Sequence, residues 1–267
     1  MTTEFLKGQV AVVTGGSGVL GAALSKALVQ AGATVAVLGR NAEKAHQTAE
    51  ALGGQAFGVQ ADVLDRSSLE QARKTIHDTT GPLHILVNCA GGNHPSASTS
   101  QEQSFFDLGL EGIEQVMNLN VLGTILPCQV FGRDFAAQGR GAIVNISSMA
   151  SQRPLTRVVG YSAAKAAVEN FTRWLAVHFA QEHTPQVRVN AIAPGFFLTE
   201  QNRYLLVEPD GAWSPRAQSI VSHTPAGRFG VPDELSSTLL WLLAPESQFI
   251  TGITVPVDGG FSAFSGV

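Results

Sequence analysis

Thr14-Gly-Gly-Ser-Gly-Val-Leu-Gly21 decides the fold. The run Gln9-Val-Ala-Val-Val-Thr14 before it reads as a buried strand, and residues 20–32 after it read as a helix that stops on Gly32. Between them, Gly16-Ser-Gly18-Val-Leu-Gly21 fits G-x-G-x-x-G. Glycines allow a tight turn and close backbone approach, and the helix N-terminus beyond favours an anionic pyrophosphate. In a chain with 28 glycines the motif alone is weak; a strand before it and a helix after it make it specific. Gly15, Ser17, Gly18, Val19, Leu20 and Gly21 are the cofactor contacts this loop offers.

Working outward, short β-branched runs alternate with longer amphipathic stretches. Strands are expected at 34–38, 55–59, 83–87, 141–147, 187–191 and 252–257, and helices at 42–52, 67–78, 112–138, 159–182 and 233–243. Continuous apolar strands alternating with helices predict an α/β fold, a doubly wound parallel sheet covered on both faces, in one domain spanning 1–267. Residues 196–225 break the rhythm, and an excursion of that length predicts a substrate lid.

Composition narrows the function. Of 267 residues, 44% are hydrophobic and 14% charged, which excludes a disordered chain. A net charge of −4 without a basic cluster argues against nucleic acid and anionic lipid as partners, and no apolar run is long enough to span a membrane. Two distant cysteines, Cys89 and Cys128, imply no disulfide framework and a reducing, cytoplasmic setting. The N-terminus shows no signal peptide, and histidine spacing such as H-E-x-x-H is missing, so no metal is expected.

The second strand ends Val37-Leu38-Gly39-Arg40-Asn41, without the acid that would hold a ribose diol. The Arg40 guanidinium suits a 2′-phosphate instead, which favours NADP(H), with NAD(H) possible. Asp62-Val63 follows the third strand, where an adenine contact fits. Asn88-Cys-Ala-Gly91 follows the fourth, where Ala90 and Gly91 let the backbone approach the cofactor. Tyr161 and Lys165 share a helical face at i and i+4. A phenol titrates near ~10, so a neighbouring ammonium is expected to lower the Tyr161 pKa and fit it for acid–base work. Ser148 lies just past the fifth strand, on the edge where such sheets bind ligands. Asn120, mid-helix, is expected to face solvent or to destabilise its helix.

Together, Thr14-Gly15…Gly21, Asn88-x-Ala-Gly91, Asn120, Ser148, Tyr161-x-x-x-Lys165, Pro194-Gly195 and Val257-Asp-Gly-Gly260 resemble the short-chain dehydrogenase/reductase family across nearly the whole chain. The resemblance implies a catalytic tetrad of Asn120, Ser148, Tyr161 and Lys165. It implies that Lys165 also contacts the cofactor, that Pro194, Gly195 and Thr199 flank the nicotinamide, and that the assembly is a homotetramer. Two positions depart from the family pattern: Val19 where a glycine is usual, and Cys89 where a second asparagine is usual.

The stretches Gly91-Gly-Asn-His-Pro95, Arg153-Pro-Leu-Thr156 and Pro194-Gly-Phe-Phe-Leu-Thr-Glu-Gln-Asn202 resemble a narrower, D-mannonate oxidoreductase (fructuronate reductase)-like branch. That resemblance implies a small-molecule substrate, a keto or hydroxy sugar acid. Arg153 is the expected clamp for its carboxylate, with Asn93, His94, Gln201 and Asn202 as hydroxyl partners. The alternatives are a 3-oxoacyl or other carbonyl reductase, which Phe196 and Phe197 leave open, and a cofactor-sensing protein without turnover.

Overall fold

A computed structural model describes residues 4–199 and 202–266. Seven parallel strands form one sheet in the order β3-β2-β1-β4-β5-β6-β7. They are β1 (Val10–Thr14), β2 (Thr34–Gly39), β3 (Ala56–Gln60), β4 (Ile85–Asn88), β5 (Gly141–Ile146), β6 (Val187–Pro194) and β7 (Thr254–Val257). The order reverses between β1 and β4. The crevice outside their carboxyl ends is where a doubly wound sheet takes its ligand.

Strand periodicity divides the core in two. Ala11 and Val13 of β1 face one side with α1 (Val19–Gln30) and α9 (Ser236–Leu243), while Val10 and Val12 face the other. That second side is covered by α3 (Arg66–Thr80), α5 (Gly123–Gln138) and α6 (Val159–His178), through Leu69, Ile76, Phe131, Phe135 and Leu175. The helix α2 (Ala42–Leu52) has the bounds the sequence predicts, set by Asn41 accepting from Lys44 N at 2.9 Å and by Gly53 at φ 88°.

The long helix expected over 112–138 is broken. It consists of α4 (Leu110–Met117), a π turn at Asn118–Leu122, and α5. β6 runs three residues past its expected end to Pro194, paired through to Val257 of β7. Residues 196–225 carry α7 (Arg203–Leu206) and α8 (Pro215–Ser222), packed on a small core of Leu206, Ala217, Ile220 and Phe229. No helix among the described residues is long and apolar enough to cross a membrane.

Candidate active site

The glycine loop closes tightly. Gly16 N donates to Leu38 O at 3.0 Å and Gly18 N to Gly15 O at 2.9 Å. A Cβ on Gly21 would lie 2.2 Å from Gly15 O, and one on Gly15 would lie 2.8 Å from the Ala90 backbone. Asn41 caps α2 and Asp65 caps α3 with their side chains, but the cap of α1 is Gly18, so no side chain occupies its first-turn N–H groups. Val19 simply begins the helix. This cradle suits a pyrophosphate, and it opens on a cleft of about 560 Å³.

Gly15, Ser17, Gly18, Val19, Leu20, Gly21, Arg40, Asn41 and Val63 line that cleft from its adenosine end, and Ala90 and Gly91 line it beside Lys165. Ser148, Tyr161, Lys165, Pro194, Gly195, Thr199 and Asn202 line it at the other. Phe196 and Phe197 line it too, as do Lys44 and Leu119, which the sequence did not single out. Asp62 lies outside it, in a smaller hollow with Arg40, Gln60, Ser68 and Gln71, where its carboxylate accepts from Leu64 N at 2.9 Å. Asn88 does not reach the cleft. It is buried, and its Nδ2 donates to Asn145 Oδ1 at 2.9 Å and to Cys128 Sγ at 3.1 Å, cross-linking β4 to β5. A residue at a strand end can point to either face, and the paired Asn145 draws this one inward.

At the carboxyl end of β5, Ser148 sits at the start of a short 3₁₀ turn, its Oγ accepting from Ala150 N at 3.2 Å. Lys165 is buried; its Nζ donates to Ile146 O at 2.8 Å and lies 5.6 Å from the Tyr161 ring centre. The titration behaviour differs from the expected one. Burial pushes the Tyr161 phenol up, the adjacent Ser148 hydroxyl pulls it partly back, and the ammonium does not dominate. Burial pushes Lys165 itself down to about 8. Tyr161 is therefore held protonated near neutrality, ready to donate.

Asn120 neither faces solvent nor loosens its helix. It is fully buried in the π turn, where Nδ2 donates to Gly92 O at 2.7 Å and to Val116 O at 2.8 Å, and Oδ1 accepts from Gly92 N at 3.1 Å. A Cβ on Gly91 would lie 2.7 Å from Asn120 Oδ1 and 3.1 Å from Lys165 Nζ. Gly91 is thus the narrow point at which these two side chains converge on the end of β4.

A carboxylate was overlooked. Glu169 is 4% exposed, accepting from Ser147 Oγ at 3.1 Å, Gln152 Nε2 at 3.2 Å, Arg173 at 3.4 Å and the Ser151 hydroxyl. It pins the loop that carries Ser148 to the helix that carries Tyr161 and Lys165. Tyr161, Lys165 and Glu169 recur every four residues, so one helical face already carried the signal.

The expected substrate contacts are mostly engaged elsewhere. Arg153 does not line the cleft. Its Nε donates to Ser262 O at 3.0 Å, and a second guanidinium nitrogen donates to the same carbonyl, so it fastens the C-terminal segment. Asn93 donates to Ser98 Oγ at 2.8 Å, and His94 Nδ1 caps the turn at Ser96; both lie outside the cleft. Asn202 lines the cleft but braces its own loop, accepting from Thr199 N and donating to Phe197 O, both at 2.8 Å. Gln201 lies outside the described residues.

A doubly wound sheet with a glycine cradle at its switch point, and a tyrosine, lysine and serine meeting in the same cleft, defines a dinucleotide-dependent oxidoreductase of Rossmann type. The chain belongs to the short chain dehydrogenase family, whose family model matches residues 9–208. It is 50% identical to uncharacterized oxidoreductase UxuB of Bacillus subtilis (strain 168), across 99% of this chain and 98% of that one. A Haemophilus influenza protein provisionally named D-mannonate oxidoreductase, solved with bound NAD, superposes with a TM-score of 0.92 at 42% identity, covering 98% of both chains. A gluconate 5-dehydrogenase from Burkholderia cenocepacia J2315, solved with NADP and tartrate, superposes with a TM-score of 0.86 at 29% identity, again covering 98% of both. The protein is an NAD(P)-dependent oxidoreductase.

Proposed function

We propose that the protein interconverts a keto sugar acid and its alcohol, of the D-fructuronate/D-mannonate kind. The observation that carries the chemistry is that a protonated Tyr161, flanked by Ser148 and Lys165, opens on the same cleft as the glycine cradle. The likeness to the Haemophilus oxidoreductase and the gluconate dehydrogenase supports the substrate class.

When bound, the nicotinamide supplies or accepts the hydride. Ser148 orients the substrate carbonyl oxygen, and Tyr161 donates a proton to that oxygen during reduction and recovers it during oxidation. Lys165 tunes Tyr161 and contacts the cofactor ribose. Asn120 has both amide N–H groups committed to protein carbonyls, so its part in a water-linked proton path is to brace Gly91–Gly92 beside Lys165. Arg40 and Lys44 at the adenosine end support NADP(H), with NAD(H) the alternative that the Haemophilus structure favours. Residues 196–225 serve as the substrate lid. The protein acts as a cytoplasmic homotetramer. Free thiols at Cys89 and Cys128 suit that compartment, and exposed Leu122, Trp174 and Val177 offer apolar surface for subunit contact.

A 3-oxoacyl or other carbonyl reductase is the second reading, favoured by Phe196, Phe197 and Leu119 in the cleft wall. The test follows reduced-nicotinamide absorbance over sugar acids, 3-oxoacyl thioesters and neutral ketones with both cofactors. Turnover is expected on a keto sugar acid. Tyr161→Phe should lower it by ~10²–10⁴-fold while keeping cofactor affinity. Reduction of acyl thioesters alone would transfer the assignment to the second reading.

A further inference from the structure

The turn that carries Ser148 is held from two sides. Ser151 N donates to Ser148 O at 3.0 Å and Arg153 N to Met149 O at 2.9 Å, while Glu169 accepts from the side chains of Ser147, Ser151 and Gln152. Arg153 ends this turn. Its side chain is exposed, yet two of its guanidinium nitrogens donate to one carbonyl, that of Ser262, in the segment that follows β7.

That segment folds back on the cleft. Gly259 and Gly260 take positive φ, 64° and 89°, which lets the chain reverse directly after Asp258. The Asp258 carboxylate then fixes the reversal, accepting from Gly260 N at 2.9 Å and from Ser262 N at 2.8 Å. Among the described residues, none after β7 lines the cleft itself. The segment acts on it through two residues that do. A Cβ on Gly195 would lie 2.6 Å from Asp258 Cβ, and the Phe261 ring meets the Phe196 ring edge-on, with centroids 5.2 Å apart and planes at 78°.

We propose that Arg153 is a positioning residue for substrate binding: from its fixed turn it holds the segment after β7, so that Phe261 backs Phe196 as a wall of the cleft's substrate end. A guanidinium fork on a carbonyl is a charge-assisted contact with a defined direction, which suits it to this task. Cutting the tie leaves Ser148 in place, because Glu169 and the bonds within the turn hold it. Phe261 can then withdraw and Phe196 can turn. Substrate fit suffers, while the chemical step and the cofactor do not. The inference rests on that end of the cleft receiving the substrate, and not on the substrate being a sugar acid.

The test compares Arg153→Met, Arg153→Lys and Phe261→Ala with wild type at saturating cofactor. Amide exchange read by mass spectrometry reports on the segment directly, since the N–H groups of Phe261, Ser262, Ala263 and Phe264 are all bonded to Asp258 or Gly260. Their exchange should quicken roughly tenfold in Arg153→Met and be partly restored in Arg153→Lys, whose ammonium can make one of the two bonds. KM for D-mannonate oxidation should rise roughly tenfold in Arg153→Met and Phe261→Ala, with kcat within about twofold and cofactor Kd unchanged. If wild type oxidises no sugar acid, that reading fails, and the KM for reduction of ethyl acetoacetate, a neutral ketone, takes the place of D-mannonate. If neither compound is turned over, exchange decides. Unchanged exchange in Arg153→Met overturns the proposal. So does faster exchange with an unchanged KM, which would make Arg153 a surface tie, or a matching loss of kcat and cofactor affinity, which would mean general loosening.

Discussion

Gly21→Ala adds one methyl group where the structure has least room. The new Cβ would lie 2.2 Å from Gly15 O and 2.8 Å from Gly16 Cα, against about 3.0 Å for the shortest real contacts, so the loop must open by roughly 0.8 Å. Both neighbours are backbone, so no rotamer change absorbs the shift. Overpacking of this kind costs ~1–3 kcal/mol. Alanine within a helix recovers ~1 kcal/mol relative to glycine. Net stability should therefore fall by about 2 kcal/mol at most, a few degrees in Tm. The cofactor should feel the change far more. The phosphate-binding N–H groups move with the loop, and losing one charge-assisted hydrogen bond of ~1.5–3 kcal/mol weakens Kd by roughly ten- to a hundredfold. Fluorescence titration of reduced cofactor beside a thermal melt measures both quantities. A variant with wild-type cofactor Kd would refute the assignment of this turn as the phosphate cradle.

Three further perturbations probe other parts of the site. Lys165 titrates at about 8 in the fold against an ordinary 10.5, so kcat/KM for reduction should fall as pH rises through about 8, and Lys165→Arg should lose that limb. Between those two values the unfolded chain binds the additional proton, so wild type should gain stability with rising pH relative to Lys165→Met, as read from urea midpoints across that range. Arg40→Asp should weaken NADP(H) binding and shift the preference toward NAD(H), measured as the ratio of the two Kd values; an unchanged ratio would make Arg40 a bystander. Glu169→Ala removes the acceptor shared by Ser147, Ser151 and Gln152; water satisfies the exposed Gln152, but buried Ser147 keeps only longer contacts of 3.3 and 3.4 Å, at ~1–3 kcal/mol, so Tm should drop by a few degrees and kcat should fall as Ser148 loosens. Full stability in that variant would show that the donors find other partners.

The local pattern made much of this legible. The turn from β1 to α1, the bounds of α2, and the pairing of Tyr161 with Lys165 all follow from periodicity, glycine placement and helical spacing, which operate over a few residues. What escaped the sequence depends on distant partners. Arg153 is diverted by a carbonyl 109 residues away, and Asn88 is turned inward by Asn145 and Cys128 on other elements. Asn120 looks like a misplaced mid-helix polar residue until Gly92 is brought against it. Tyr161 misled in a different way. A neighbouring ammonium predicts a lowered phenol, but desolvation opposes that charge and dominates in the folded protein.

The π turn at Asn118–Leu122 fixes chain length as well as shape. One residue beyond an α-helical turn rotates everything after it by about 100°. α4 and α5 are therefore out of phase, and each presents its buried residues, Val116 on one and Phe131 and Phe135 on the other, to its own side. Deleting any one residue of this turn would yield a more regular helix and a worse protein. Either Phe131 and Phe135 would swing off the sheet, or Asn120 would leave Gly92. Most side chains here could change without such a penalty, whereas the number of residues could not. Families of variants should accordingly reject every single-residue insertion or deletion between Met117 and Gly123.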